Sequence, residues 1–116
     1  MGCLQRLGIE SAGSDIDFSI RPDNDGVYPD ISDITCNVIG LYNGTTVLNI
    51  DIGSPSVNGS SVTLETDVTS QYLAIHIDGL ETVGFDGDLE IYTRLESSAY
   101  GTRTEAKGVY RICEVV

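Results

Sequence analysis

The stretch from Ile34 to Ile52 places the pair Asn43-Gly44 between two runs of alternating apolar and polar residues. Asn-Gly is a preferred dipeptide of two-residue β-hairpin turns, because both central residues there adopt positive φ angles. Alternation with a period of two is the pattern of a strand that buries one face. The sequence therefore predicts a β-hairpin whose turn is Asn43-Gly44.

The register of this hairpin follows from the pairing that keeps one face apolar. A strict two-residue turn would pair Val38 with Asn49, whereas one added residue pairs Val38 with Ile50 and Gly40 with Leu48. We predict the second register. It requires a three-residue loop or a β-bulge, and Gly40 is the natural bulge position because it lacks a Cβ.

Similar alternating segments recur along the rest of the chain, and no window shows the apolar period of a helix. Strands of this number and spacing favour an immunoglobulin-type sandwich over a closed barrel. The predicted fold is therefore all-β, an immunoglobulin-like antiparallel β-sandwich of seven to eight short strands. Besides the hairpin, strands are predicted at 16–20, 72–79, 88–95 and from Val109 to the C-terminus. Short strands are also predicted within 53–66 around a second Asn-Gly turn at Asn58-Gly59, the later one with Val62 and Leu64 on one face.

The chain of 116 residues has the size of one domain, since two separate domains would each be too small to be stable without staples. Residues 1–14 contain three glycines and show little alternation. We expect them to form an N-terminal extended arm that orders on assembly, followed by a single sandwich domain at 15–116. Leu4, Leu7 and Ile9 are the candidate anchors of this arm.

The charge is divided unevenly along the chain. Residues 1–93 carry 2 Arg and 15 acidic residues, whereas residues 94–116 carry 3 Arg, 1 Lys and 3 Glu. The net charge of −12 disfavours a nucleic-acid partner, because affinity for phosphates depends on basic residues. One interpretation is a solvated acidic surface. The other is that the C-terminal quarter, with a turn-rich, solvent-facing segment at 96–107, docks on an acidic partner such as a neighbouring copy. The candidate docking residues there are Arg94, Arg103, Lys107 and Arg111.

Cys3, Cys36 and Cys113 are odd in number and far apart, which favours free thiols over disulfides. A zinc site of these cysteines with His76 would lack the closely spaced ligand pairs typical of structural zinc sites. The N-terminus shows neither the apolar run of a signal peptide nor a transit pattern, and no stretch of 18 apolar residues occurs. We therefore expect no membrane partner and no export by the classical route.

His76 is the single histidine and hence the candidate general base. No nucleophile motif accompanies it, so we expect an ordinary surface histidine, no catalytic residues and no cofactor. Two pairs of carboxylates at positions i and i+2, Asp15 with Asp17 and Asp86 with Asp88, point the same way from a strand and offer oxygen ligands for Ca²⁺. Solvated acids beside turns are the favoured interpretation, and no metal ligand is predicted.

Four segments follow one another in a recognisable order: DFSI at 17–20, DISDITCNVIG at 30–40, GSSVTLET at 59–66, and the C-terminal stretch that begins FDGDLEIYTRL at Phe85. From Asp15 onward this order resembles the small immunoglobulin-like domains of tailed-bacteriophage virions. In particular, it resembles the N-terminal domain of the phage baseplate upper protein family. The resemblance implies a sandwich fold and a role without catalysis.

The function implied by this resemblance is that of a non-enzymatic structural component of a tailed-phage virion, in the capsid, the neck, or the tail and baseplate. It would dock through its N-terminal arm and its basic C-terminal segment. The expected partners are other virion structural proteins, with several copies in a symmetric assembly, and the expected location is the virion, after assembly in the host cytoplasm. The alternative is a carbohydrate-binding or host-surface adhesion module. That module would need aromatic platforms, whereas the six Tyr and two Phe are scattered and Trp is absent.

Overall fold

The computed structural model describes residues 6–99 and 101–114, and for Arg6 and residues 104–107 it describes the backbone alone. No helix in these ranges is long and apolar enough to cross a membrane. One 3-10 turn, Gly79–Glu81, lies between the sixth and seventh strands. The strands are β1 (Arg6–Ser11), β2 (Ile16–Ile20), β3 (Thr35–Tyr42), β4 (Thr45–Asp51), β5 (Ser61–Thr66), β6 (Gln71–Ile77), β7 (Gly87–Ser97) and β8 (Gly101–Cys113).

The strands form two sheets that pack face to face. One sheet has the order β2-β6-β5 and the other the order β1-β8-β7-β3-β4. In immunoglobulin lettering, β2, β6 and β5 occupy positions B, E and D, while β8, β7, β3 and β4 occupy positions G, F, C and C′. The predicted all-β, immunoglobulin-like sandwich is confirmed. Every pairing between the described strands is antiparallel except that of β1 with β8, which is parallel.

Part of the predicted N-terminal arm is a strand at the edge of the larger sheet. Arg6–Ser11 pairs with β8, and Leu7 packs against the core. Gly8 lies against the Tyr110 ring, where a Cβ would be 3.7 Å from the nearest ring carbons, an ordinary contact distance. Leu7 is the extra residue of a bulge between Arg6 and Gly8, so Leu7 packs inward while Ile9, two residues on, is exposed. The sequence pattern did not reveal this strand because its two apolar residues do not share a face.

β3 and β4 form the predicted hairpin. Asn43 has a φ of 52° and Gly44 a φ of 77°, the positive values that a two-residue turn of type I′ requires. Val38 lies opposite Ile50, so the predicted register is confirmed. Because this register keeps both residues on the inward face, the hairpin buries a continuous apolar strip.

A β-bulge reconciles this register with the two-residue turn. Gly40 lies opposite Leu48, but Leu41 lies opposite Thr46, so Val47 is the extra residue. The bulge is therefore on β4, across from Gly40, rather than at Gly40 itself. A Cβ at Gly40 would lie 3.2 Å from the Cβ of Leu48, closer than an ordinary contact, so glycine fits this position without displacing Leu48.

The hydrophobic core lies between the two sheets and is built from the inward residues of β2 to β8 and of the segment that leads into β3. The inward side chains predicted for the strands at 72–79 and 88–95 all belong to it. Removing this apolar surface from water is the main favourable contribution to folding. The core residues are Ile16, Ile20, Ile31, Ile34, Cys36, Val38, Leu48, Ile50, Val62, Leu73, Ile75, Ile77, Leu89, Ile91, Leu95, Tyr110 and Ile112.

β7 and β8 form a hairpin that is longer than the sequence predicted, and they pair along the whole length of β7. The segment 96–107, predicted to be rich in turns, is therefore mostly strand. Residues 101–103 are all exposed, so the sequence there lacks the alternation of a half-buried strand. Ala106 and Gly108 pair with consecutive residues of β7, which makes Lys107 the extra residue of a second bulge.

Candidate functional site

Alternate residues of the five-stranded sheet point away from the core and form its outward face. Register partners in adjacent strands share a face, and Ile9 is the partner of Arg111, as Ile39 is of Tyr92. Ile9 is 69% exposed. Arg94, an exposed residue of β7, lies on the same face. We refer to Ile9, Ile39, Tyr92, Arg94 and Arg111 as the outward residues.

The pairing of β1 with β8 brings two predicted docking residues, Ile9 and Arg111, side by side. Two polar contacts hold the Arg111 guanidinium. Its Nη2 lies 3.1 Å from Oδ1 of Asp86, and its Nη1 donates to the carbonyl of Ile112 at 2.7 Å. The guanidinium bonds to Asp86, which precedes β7, while Ile9 lies on β1 at the other side of β8. This corner of the sheet therefore offers a charge and an apolar contact surface on neighbouring strands.

The other two arginines of the C-terminal quarter lie on opposite sides of the sheet. Arg94 points outward and forms a loose ion pair with Glu96, with Nη2 3.6 Å from Oε2 and both side chains exposed. Arg103 lies opposite Leu95, on the side that faces the core further along the strand, and donates to Oδ1 of Asn24 at 3.5 Å. The two positive charges therefore serve different surfaces.

The remaining predicted docking residues do not add to the outward face. Leu7 packs against the core and is not a projecting anchor. Leu4 lies outside the described residues, and Lys107 is described through its backbone alone. Both members of the second predicted carboxylate pair are neighbours of Arg111. Asp86 forms the ion pair with its guanidinium, and Asp88 is its register partner on β7.

A cluster of charged groups surrounds His76 on the outer face of the smaller sheet. Asp17 lies directly opposite on β2, with its Oδ1 2.8 Å from Nδ1 of His76. Nε2 of the same ring is 3.9 Å from Oδ2 of Asp78. A carboxylate oxygen of Asp15 lies within 4.8 Å of a ring nitrogen of His76 and of a carboxylate oxygen of Asp78. The interpretation of His76 as an ordinary surface histidine missed this cluster, since the register of β2 against β6 cannot be read from the local pattern.

These neighbours raise the pKa of His76. The largest contribution is the hydrogen bond to Asp17, and the negative charges of Asp17, Asp15 and Asp78 add to it, while partial burial opposes the shift. When Nδ1 carries the proton that bonds to Asp17, the lone pair of the ring is on Nε2. The imidazole is thus oriented either to exchange a proton or to bind a cation at Nε2.

A shallow, open depression of about 300 Å³ lies beside His76, above Ala74 and between the hydroxyls of Ser19, Ser61 and Thr63. Ser61 is the register partner of His76. Among the described residues, however, its hydroxyl makes no hydrogen bond to the imidazole. A hydrogen bond between nucleophile and base is the geometric signature of Ser-His hydrolases. Ser61 and His76 do not form this bond.

The loop before β5 is tied to the 3-10 turn beside this cluster. The Glu81 carboxylate accepts hydrogen bonds from the hydroxyls of Ser56 and Ser60 at 2.8 and 2.7 Å and from the Asn58 amide at 2.6 Å. The Ser60 hydroxyl in turn accepts from the backbone amide of Asp78 at 2.8 Å. These bonds fix the backbone that carries one of the carboxylates near His76.

Cys36 and Cys113 are free thiols, while Cys3 lies outside the described residues. Cys36 is buried in the core, where burial, with a smaller effect of the Asp51 charge, raises its pKa to about 11. A thiol with such a high pKa is a poor nucleophile and a poor metal ligand at neutral pH. Cys36 is therefore a core residue.

Comparison of the sequence with protein-family models and with curated proteins yields no relative. No protein-family model matches the sequence, and no curated protein matches it significantly. The likeness to phage virion domains accordingly rests on the four sequence segments alone. The function has to be argued from the fold and from the residues that it brings together.

Proposed function

We propose that this protein is a non-enzymatic structural component of a tailed-phage virion and that it docks on another virion protein through the outward residues of its larger sheet. The observation that carries the proposal is the pairing of β1 with β8, which makes the exposed Ile9 the register partner of Arg111 on the outward face. The four-segment resemblance supplies the phage assignment. The sheet supplies the surface.

The composition of the outward residues supports a protein partner. Protein interfaces are enriched in aromatic residues and arginine, and a few such residues dominate binding energy. Tyr92 and Ile39 are partly exposed at the centre of the face, with Arg94 and Arg111 further along the strands on either side. Arg94 and Arg111 supply the positive charge among the outward residues, so the partner surface that complements them presents carboxylates around an apolar contact.

The placement of aromatic rings favours this role over the carbohydrate-binding alternative. The Tyr42 ring stacks on Phe85, with ring centroids 4.0 Å apart, and the Phe18 ring lies 6.2 Å from that of Tyr110. These four rings pack within the fold instead of forming an exposed platform.

Quantitative mass spectrometry of gradient-purified virions, from a phage whose genome encodes this chain, tests the proposal. The chain should be present at a fixed copy number per particle. Ile9→Asp should reduce its incorporation several-fold, because it places a carboxylate in the apolar contact. Val68→Asp is the matched control: Val68 is 106% exposed in the turn between β5 and β6, away from the outward face, and should incorporate normally. Absence of the wild-type chain from the particles would rule out the virion role.

A further inference from the structure

Three side chains at one end of the smaller sheet bring metal-ligand atoms together. They are the imidazole of His76 and the carboxylates of Asp15 and Asp78, and one ligand atom of each lies within 4.8 Å of the other two. Nε2 of His76 is 3.9 Å from Oδ2 of Asp78. Ligands of a tetrahedral ion with bonds of about 2.1 Å are roughly 3.4 Å apart. A small rotation of these side chains therefore closes the set around an ion.

Each ligand is oriented by a partner that is not part of the set. Nδ1 of His76 is hydrogen-bonded to Asp17 at 2.8 Å. Oδ1 of Asp15 and Oδ1 of Asp78 accept from the backbone amides of residues 79–80 at 2.7 and 2.9 Å. Metal-binding histidines almost always bond their other ring nitrogen to a carboxylate, a carbonyl or a water. This leaves Nε2 of His76, Oδ2 of Asp78 and the remaining lone pairs of the Asp15 carboxylate for an ion.

Backbone packing holds these groups together. The register of β2 against β6 places Asp17 opposite His76. Gly79 allows the turn that carries Asp15 to lie against the 3-10 turn, because a Cβ at Gly79 would overlap the carbonyl oxygen of Gly13. The ligand set therefore depends on close contact between two separate parts of the chain, and not on the flexibility of a single loop.

We propose that Asp15, His76 and Asp78 bind a zinc ion, with Asp17 as the positioning residue and water completing the coordination. One imidazole nitrogen with two carboxylate oxygens suits Zn²⁺, which accepts four mixed ligands. Ca²⁺ takes six or more oxygen ligands, which this set does not provide. The site lies on the smaller sheet, away from the outward residues, so it is independent of the proposed docking.

This site differs from the one that the sequence suggested and disfavoured, in which three cysteines join His76. Cys36 lies in the core between the sheets, and Cys113 belongs to the larger sheet. Neither thiol is therefore placed to act with the imidazole. The partners of His76 are instead the carboxylates that precede β2 and follow β6.

The test is a titration of zinc sulfate into the purified chain carrying Cys3→Ser and Cys113→Ser, which removes binding by accessible thiols. The titration is followed by calorimetry and by ¹⁵N NMR of the single histidine ring, at a pH of about 7.5 so that protons compete less with the metal. We expect one ion per chain and a change in the Nε2 resonance. The bound ion should also raise the unfolding temperature, because it binds the folded state alone.

Zinc affinities of single variants distinguish the ligands from the positioning residue and from an unrelated acid. His76→Gln and Asp15→Asn, which keep the size of the side chains, should each weaken zinc binding by more than about tenfold. Asp17→Asn should weaken it by about 10 to 100-fold, the usual effect of removing a partner of a ligating histidine. Asp88→Asn, an exposed acid on the larger sheet, is the control and should bind as the parent does.

Three results would overturn the zinc site. They are an Nε2 resonance that is unchanged at saturating zinc, equal zinc affinity in the parent and His76→Gln, or tighter binding of Ca²⁺ than of Zn²⁺ by the same chain. Unchanged affinity in Asp17→Asn would contradict the positioning role of Asp17. Circular dichroism of each variant confirms that it is folded before its affinity is interpreted.

Discussion

The Arg21 guanidinium and the Asp67 carboxylate meet in a two-point ion pair, with Nη1 3.0 Å from Oδ1 and Nη2 bonded to Oδ2. This pair joins the residue after β2 to the turn between β5 and β6. Nη1 of Arg21 also donates to the Ser70 hydroxyl at 2.8 Å, and the guanidinium lies 5.0 Å from the Tyr72 ring centroid. The pKa of Asp67 is held well below its usual range, first by the bond from Arg21 and then by the amides of Ser70 and Thr69.

The ion pair predicts a specific acid sensitivity. Because the pKa of Asp67 is lower in the folded than in the unfolded chain, its stabilisation is fully present above the ordinary aspartate pKa of about 3.9. The stabilisation is lost as the pH falls through the folded-state value. Urea unfolding followed by circular dichroism, from about pH 5 to about pH 2, should show a steeper loss of stability in the wild type than in Asp67→Asn. Parallel curves would show that the pair contributes nothing.

The bulge in the first hairpin predicts that alanine is tolerated less well at Gly40 than at Gly8. Gly40→Ala should destabilise the fold by about 1 to 3 kcal/mol, the usual cost of overpacking a core. The added Cβ would lie 3.2 Å from the Leu48 Cβ and 3.4 Å from Cδ1 of Leu89. Gly8→Ala is the control: its nearest contact is 3.7 Å, so the change should stay within about 1 kcal/mol. Equal unfolding free energies for the two variants would contradict the packing explanation.

Two buried threonines predict opposite effects of the same substitution. Thr93 and Thr82 are each 1% exposed. Among the side chains that the structure describes, the Thr93 hydroxyl has no hydrogen-bond partner. That of Thr82 accepts from the Gly13 amide at 3.0 Å and donates to the Gly79 carbonyl at 3.3 Å. Thr93→Val should stabilise the fold by about 1 kcal/mol, because it removes an unsatisfied polar group.

Thr82→Val should instead destabilise the fold by about 1 to 3 kcal/mol, because it removes both hydrogen bonds of a buried hydroxyl. Chemical denaturation of both variants in the same buffer measures the difference. Destabilisation by both substitutions to a similar degree would indicate that the Thr93 hydroxyl is satisfied in solution.

Arg94 and Arg103 lie on opposite sides of the sheet, so reversing the charge of each should affect attachment to the particle differently. Arg94→Glu reverses a charge on the outward face and should weaken attachment to the particle several-fold. Arg103→Glu makes the same charge change on the other side of the sheet and should have little effect. The sequence alone predicted a docking role for Arg103, so this pair of variants tests the revised surface directly. Incorporation into purified virions is the measurement, and equal effects of the two reversals would argue for attraction by net charge alone.

Local chemistry made the hairpin predictable. The Asn43-Gly44 turn and the rule that one face stays apolar were sufficient for the register of β3 with β4. The inward residues of β6 and β7 followed from alternation. The first half of β8 did not, because residues 101–103 are exposed and a strand without a buried face has no period to detect. The strand β1 was hidden for a related reason, since the bulge at Leu7 puts Leu7 and Ile9 on opposite faces.

The candidate sites depended on pairings between distant parts of the chain. Ile9 and Arg111 come together through a parallel pairing of the first and last strands, and Asp17 reaches His76 through the pairing of β2 with β6. Nothing in the local sequence specifies which strands become neighbours in a sheet. The residue types were therefore identified from sequence, whereas their grouping required the structure.

The most direct test of the docking surface is the association of the purified chain with particles assembled without it, measured by co-sedimentation. Binding should be saturable at low ionic strength and weaker at about 0.5 M salt, where screening shortens the reach of Arg94 and Arg111. Ile9→Asp should abolish most of the saturable binding, while Val68→Asp should leave it unchanged. Equal binding by Ile9→Asp and the wild type, or no saturable binding by the wild type at low salt, would contradict docking through the outward residues.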